Sequence, residues 1–275
     1  MLAGDAGFED WRAQARVALG LDIPPHKIRF TVLDGDSLDL FSGRPLPADA
    51  RPDRPLTVPA RFKREATDAA LHCEPDRFQF LYRLLWRLRD EPRLMAVATD
   101  KDVVRLQQLA QAVRRDLHKM KAFVRFRQRP DEAEERFVAW FEPAHHITPR
   151  AAEFFSRRFT GMTWSLFTPG KSAHWDRRAL VFGKGVSRTD WDAIKDGNED
   201  LWKIYYANIF NPARLMTKAM QAQMPKKYWK NLPEAAVIPE LVKSAEARTK
   251  AMVAAAPSAP PLRHARLMDR RAPSA

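Results

Sequence analysis

Residues 114–140, RRDLHKMKAFVRFRQRPDEAEERFVAW, contain a change of hydrophobic period that decides the fold. Leading into this stretch, Leu106, Leu109, Ala110, Val113, Leu117 and Met120 recur at steps of three and four. Asp100 to Met120 is therefore expected to be one amphipathic helix. Beyond Met120 the period drops to two. Val124 and Phe126 alternate with Arg125, Arg127 and Arg129, and Phe137, Ala139 and Phe141 alternate with Val138 and Trp140. Two strands are expected, Phe123 to Arg129 and Glu135 to Glu142, joined as a hairpin across Pro130-Asp131-Glu132-Ala133-Glu134.

The same alternation sorts side chains onto faces. If the apolar faces pack together, Trp140 lies on the side of Arg125, Arg127 and Arg129. On the preceding helix Arg114, His118 and Lys121 fall at i, i+4 and i+7, one polar flank beside the apolar stripe. Guanidinium forks bind phosphate bidentately and an aromatic ring stacks on an exposed base, so such a surface suits a nucleic-acid backbone. The competing reading is a solvated sheet face whose arginines pair with Glu132, Glu134 and Glu135.

The rest of the chain supplies elements around this centre. Phe8 to Gly20 reads as a short helix. Ile28 to Leu33 and Leu38 to Phe41 read as strands joined by Asp34-Gly35-Asp36. A proline-rich stretch, Arg44 to Ala60, is a loop or linker. Asp76 to Arg89 carries Phe80, Leu81, Leu84, Leu85 and Leu88 at helical spacing. Thr148-Pro149 reads as a cap and first-turn proline, opening a helix to about Phe159. Thr163 to Thr168 and Ala179 to Phe182 look like strands. Helical segments near Asp190 to Phe210, Pro212 to Gln223 and Pro239 to about Ala254 complete the pattern. The expected class is α+β: an antiparallel sheet of about four strands flanked by helices, with a small N-terminal helix-plus-hairpin lobe. The expected organisation is a lobe and loop over 1–60, a main domain over 61–254, and a disordered basic tail over 255–275.

Composition narrows the partners. The chain has 275 residues, 47 Lys+Arg against 34 Asp+Glu, and a formal net charge of +13. Such an excess points to nucleic acid, or less often to an anionic membrane surface. Cys73 is the only cysteine, which excludes an internal disulfide, a cysteine zinc site and an iron–sulfur cluster held by this chain alone. No apolar run is long enough to span a bilayer and the N-terminus lacks a signal-peptide pattern, so a cytoplasmic protein without membrane attachment is expected.

Longer motifs add a resemblance. The run from Arg114 to Arg127 resembles the hallmark of a bacterial domain family of unknown function. Ala139-Trp140-Phe141-Glu142-Pro143-Ala144-His145-His146-Ile147 and Phe155-Ser156-Arg157-Arg158-Phe159 fit the same pattern. So do Ile209-Phe210-Asn211-Pro212-Ala213-Arg214 and the run from Met224 to Glu234. Phe8 to Arg12 and Asp76 to Leu88 are similar too, so the likeness spans about residues 8 to 250. It implies a role in DNA metabolism, beside a radical-SAM protein assigned to DNA modification or fused ahead of a uracil-DNA glycosylase-superfamily domain. This chain resembles the standalone form. The family supplies no catalytic residues to carry over.

Other constellations are weaker. Glu142-Pro143-Ala144-His145-His146, with His174 and Asp176, offers imidazoles and carboxylates for an acid–base or metal site. However, His145-His146 lacks the spacing of a helical metal motif, and a polar loop or a plain turn fits as well. Ser165 and Ser172 lack a nucleophile-elbow sequence. Gly183-Lys184-Gly185 is too short for a phosphate-binding loop, and no cofactor or metal motif is present. Lys226-Lys227-Tyr228-Trp229-Lys230 follows Arg214 and Lys218. Its lysines suit phosphates, while Tyr228 or Trp229 either stacks on a base or plugs the core.

Three functions follow as expectations. The first is a DNA-binding accessory protein in repair or base modification, acting with a radical-SAM or uracil-DNA glycosylase-type partner. There Arg114, Arg125, Arg127 and Arg129 hold phosphate and Trp140 or Trp229 stacks. The second is a nucleic-acid-processing enzyme using His145, His146 and His174. The third is a protein-only scaffold for the radical-SAM partner.

Overall fold

The computed structural model describes residues 2–3, 7–33, 46, 57–128, 136–192, 224–245, 247 and 249–250. The chain divides into two compact units, Met1–Gly197 and Asn198–Ala275. Arg129, the loop 130–135, Leu38 to Phe41, Arg214 and the tail 255–275 lie outside the described residues.

The first unit opens with β1 (Leu2–Ala3), α1 (Phe8–Gly20) and β2 (Val32–Leu33). Of the strand expected over Ile28 to Leu33, only Val32–Leu33 pairs, in parallel with Leu2–Ala3. Next come α2 (Ala60–Ala69), α3 (Arg77–Asp90) and α4 (Lys101–Phe123). Their apolar faces form one core in which Trp11, Ala15, Phe62, Ala66, Phe78, Tyr82, Leu84, Val103 and Leu106 are buried together. Side-chain hydrogen bonds fasten the N-terminal segment to α3, among them those of Trp11, Gln79 and Tyr82. Trp11 Nε1 donates to the Phe78 carbonyl at 3.1 Å, and the Tyr82 hydroxyl donates to the Ile23 carbonyl at 2.7 Å.

α4 begins where the sequence indicates, with Asp100 accepting from the amides of Asp102 and Val103 at 2.9 and 3.1 Å. It runs further than expected, to Phe123. Arg125, read from alternation as a strand residue, instead directs Nη1 at the carbonyls of Ala122 and Val124, at 2.8 and 3.2 Å. A guanidinium there satisfies carbonyls left over at the helix end and complements the helix dipole. The expected strand from Phe123 contracts to β3 (Arg127–Gln128).

The sheet continues through β4 (Arg136–Trp140), α5 (Thr148–Arg158), β5 (Thr163–Phe167), β6 (Lys171–Trp175), β7 (Leu180–Lys184) and α6 (Arg188–Asp192). It has five strands in the order β3-β4-β5-β6-β7, one more than expected. All neighbours are antiparallel except β4 and β5, which are parallel and joined through α5, as a parallel pair requires a crossover. The additional strand is β6. Its sequence, KSAHW, holds only two apolar side chains, so periodicity alone does not mark it. The β6–β7 turn is built by Asp176, whose Oδ1 accepts from the amides of Arg178 and Ala179 at 2.8 and 2.7 Å, with Arg177 left-handed at φ 75°.

Register assigns the two faces. Phe126, Phe155, Phe159 and Trp164 pack edge to face, stacked or tilted on the α5 side. The opposite face carries Val138 and Trp140 with Phe167, closed by Trp191 of α6 and Val186. Thr148 does not cap α5, since the cap position is Ile147. The Thr148 hydroxyl instead meets that of Thr168 at 3.2 Å. The second unit contains 3-10 turns over Lys226–Asn231 and Pro233–Val237, and α7 (Ile238–Lys243).

After β7 the chain turns back against the β5–β6 turn, with the Val186 amide donating to the Thr168 carbonyl at 3.0 Å. A Cβ added at Gly185 would lie 1.9 Å from the Pro169 carbonyl oxygen. That neighbour is backbone and cannot rotate away, so the turn itself must move. Gly185→Ala is expected to destabilise the first unit by about 1–3 kcal/mol, the usual range for overpacking. A chemical-denaturation midpoint equal to that of the unchanged protein would overturn this.

Candidate nucleic-acid interface

Sheet pairing places Arg127 opposite Val138, hence on the face that carries Trp140. That face is not an open aromatic platform. Trp140 is buried, its ring stacked on Trp191 at 5.8 Å and 19°, with the Arg188 guanidinium 5.8 Å from its centroid. The expectation that Trp140 stacks on a base is therefore corrected: five-residue α6 covers it. Arg125 is engaged with the end of α4, as described above. Arg127 is half-buried on the sheet.

The helical side of the unit presents a different basic surface. Arg114 Nη1 donates to Glu65 Oε2 at 3.0 Å and to Asp68 Oδ2 at 2.8 Å. Arg150 Nη1 donates to the other Asp68 oxygen. One buried carboxylate on α2 thus joins a guanidinium from α4 to one from α5. These hydrogen bonds, Asp68 first, raise the Arg114 pKa above its ordinary value, so it stays charged throughout the accessible pH range. Lys63, Arg64, Glu65, Asp68, Arg114 and Arg150 line a concave recess of about 600 Å³.

From this recess two helix faces run on side by side. On α4, Arg114, His118 and Lys121 are spaced i, i+4 and i+7. On α5, Arg150, Phe154 and Arg157 have the same spacing. His118, Phe154 and Arg157 are exposed. The faces touch again at the far end, where Lys121 Nζ lies 4.3 Å from the Phe154 ring centroid. Seven residues of helix span about 10 Å, comparable to a few phosphate steps along a strand. Phe154 is 38% exposed, one of few exposed large apolar side chains among the described residues, and a cation already sits on its ring.

The histidines expected to act together fall into separate places. His145 lies against His72, with centroids 4.3 Å apart and the rings tilted by 33°, and its Nδ1 accepts from the Cys73 amide at 3.3 Å. His72 Nδ1 accepts from the Glu74 amide at 3.1 Å. The amides of Ala144 and His145 donate to Asp116 of α4 at 2.8 and 3.0 Å, which fixes this loop. The His146 side chain is exposed and its amide donates to the Leu71 carbonyl. His174 lies on β6, between Ser165 Oγ at 2.9 Å and Ser172 Oγ at 3.0 Å.

The two histidine groups differ in their surroundings. Among the described residues, His72, Cys73 and His145 bring potential metal-ligand atoms within 4.8 Å of one another. Both Nδ1 atoms accept from backbone amides, which commits that nitrogen of each ring. At His174 one ring nitrogen donates and the other accepts. A second hydroxyl stands where a hydrolytic triad places its carboxylate, and both serines are buried.

In the second unit, Lys226 and Lys227 are exposed, and Lys227 Nζ lies 4.7 Å from the Tyr228 ring. Tyr228 is buried, the plug of the two expected roles. Trp229 is half-buried and donates Nε1 to the Met224 carbonyl at 3.0 Å.

The profile of a domain of unknown function, DUF4130, matches residues 75–234, more than half of the chain. The chain belongs to the DUF4130 family. No curated protein and no solved structure matches the chain. The DUF4130 span begins at Pro75, so it contributes α4 and α5 to the recess, while α2 comes from the segment before it. Sequence reasoning missed Lys63, Arg64, Arg150, Phe154 and Arg157. The i, i+4, i+7 spacing of the last three, repeating that of Arg114, His118 and Lys121, was the available signal.

Burial lowers the pKa of both His72 and His174 below the ordinary imidazole value. The charges of Arg77 and Arg105 add to this at His72 against an opposing Glu74, and that of Arg136 adds at His174. Below the unfolded value of about 6.5 the unfolded chain takes up protons that the folded rings refuse. Stability is thus full above about pH 6.5 and falls as pH drops toward the folded values. Imidazole NMR titrations are expected to place both midpoints under 6.5, and replacing both by Gln should flatten the dependence of Tm on pH in that window. A midpoint at or above 6.5 for His174 would contradict this assignment.

Proposed function

We propose that this chain is a DNA-binding accessory protein of repair or base modification, holding a strand along α4 and α5 for a radical-SAM or uracil-DNA glycosylase-type partner. The observation that carries the reading is the paired track. Arg114, His118 and Lys121 face Arg150, Phe154 and Arg157, with Lys63 and Arg64 at the recess end. Cations spaced along two helices hold successive phosphates, and an exposed ring among them offers a stacking surface of no sequence preference. The formal net charge of +13 adds a long-range field that draws a polyanion to the chain. DNA-metabolism roles implied by the sequence motifs agree with this chemistry. The arrangement holds and positions; it contains no group poised to cut or modify a base, which is why an accessory role fits better than solo catalysis.

The salt dependence of binding tests the reading. Each phosphate neutralised contributes a slope of about 0.9 in log affinity against log salt for duplex DNA, and about 0.7 for single strands. Lys121→Ala combined with Arg157→Ala is expected to weaken binding at every sequence and to reduce the slope by roughly one to two. Arg127→Ala, on the sheet, is expected to leave the slope unchanged. No detectable binding at low salt would refute DNA binding and favour a protein-only scaffold.

A further inference from the structure

The recess at the Arg114–Arg150 end has features that a plain stretch of the track lacks. The Asp68 carboxylate uses one oxygen for each guanidinium, so the two arginines from different helices are held side by side. Like charges so placed repel unless anions lie between or beside them. Among the described residues each guanidinium makes these bonds through Nη1 alone, which leaves Nη2 and Nε of each fork for a further acceptor. Both arginines remain partly open to solvent, with side chains 44% and 41% exposed. Lys63 and Arg64 add two more cations, so the four cations and two carboxylates lining the recess leave a formal surplus of two positive charges.

Geometry distinguishes this end of the track from the other. α2 brings Glu65 and Asp68 to Arg114 and Arg150 there, so side chains of three helices line this end, whereas Lys121 and Phe154 of α4 and α5 meet at the other. A phosphodiester inside a strand carries one negative charge and has sugar on both sides. A terminal phosphomonoester carries −1.5 to about −2 at neutral pH and exposes three acceptor oxygens. Two guanidinium forks and a surplus of two charges match the second group.

We propose that the recess is a binding site for the terminal phosphate of a nucleic-acid strand, with Arg114 and Arg150 as its direct ligands and Asp68 as the positioning residue that sets their spacing. This rests on the reading that the α4–α5 track holds DNA. Under it, the chain recognises a strand end, as at a nick or a gap, in preference to continuous strand.

Fluorescence anisotropy with one internally labelled oligonucleotide, carrying a 5′-hydroxyl, a 5′-phosphate or a 3′-phosphate, tests this on the full chain. One of the two phosphorylated probes is expected to bind about tenfold tighter than the hydroxyl probe, and which one does so gives the polarity of the bound strand. Arg150→Ala should bring that ratio close to one. Asp68→Asn should lower the ratio while DNA binding persists, and Arg150→Lys should restore only part of it, because an ammonium lacks the fork. Lys121→Ala should weaken all probes alike and preserve the ratio, which a purely structural role for the recess would not separate. Thermal melts report whether each variant folds, and if Arg114→Ala does not, Arg150→Ala carries the test. Equal, salt-sensitive binding of all three probes by the unchanged protein overturns this inference and leaves the DNA reading standing. No binding of any probe overturns both. A phosphoserine peptide that outcompetes every oligonucleotide assigns the recess to another macromolecule and also overturns it.

Discussion

The apolar stripe of α4 must be buried along most of the helix, and this requirement organises the first unit. Val103, Leu106, Leu109, Ala110, Val113, Leu117 and Met120 are all buried, the Val, Leu and Met side chains each contributing on the order of 1.5–3 kcal/mol if fully shielded from water. No single neighbour can cover so long a stripe. Covering it draws α2 and α3 together near its start, and its far end delivers the chain to β3. The remaining face of α4 is then free to carry charge, and that charge is what the surrounding helices meet.

Several polar contacts depend on that placement. Asp116 reaches out of α4 to hold the amides of Ala144 and His145, which sets the loop between β4 and α5. Arg114 reaches the other way, to carboxylates on α2. Asp68 is buried and would be costly as an isolated charge. Two guanidiniums stabilise it, and in doing so it fixes them in place. The same ion pairs therefore contribute to packing and hold two partly exposed guanidiniums in fixed positions.

Much of the α+β pattern was legible from residues alone. The period of three and four before Met120, the capping Asp100, and the alternation through Val138 and Trp140 each correspond to an observed element. Legibility failed where a short segment lacked contrast. KSAHW presents too few apolar side chains to read as a strand, and it becomes one because β5 and β7 flank it with matching hydrogen-bond groups. It failed also at the end of α4, where Arg125 reads as part of an alternating strand but finds helix carbonyls within reach. The candidate site shows the same division. Arg114, His118 and Lys121 were found from spacing on one helix, whereas Lys63, Arg64, Arg150 and Phe154 lie far away in sequence and join them only through packing.

By itself, then, the sequence determined the class of the fold, the excess of positive charge, and which residues share a helix face or a strand face. These depend on periods of 3.6 and 2 and on composition, which are local or additive properties. Only the tertiary structure decided which faces remain exposed. It buried Trp140 beneath Trp191, separated His174 from His145, and brought Asp68 between Arg114 and Arg150. The physical reason is that exposure and charge pairing depend on what covers a side chain, and the covering residues here come from elements distant in sequence, which no local pattern specifies.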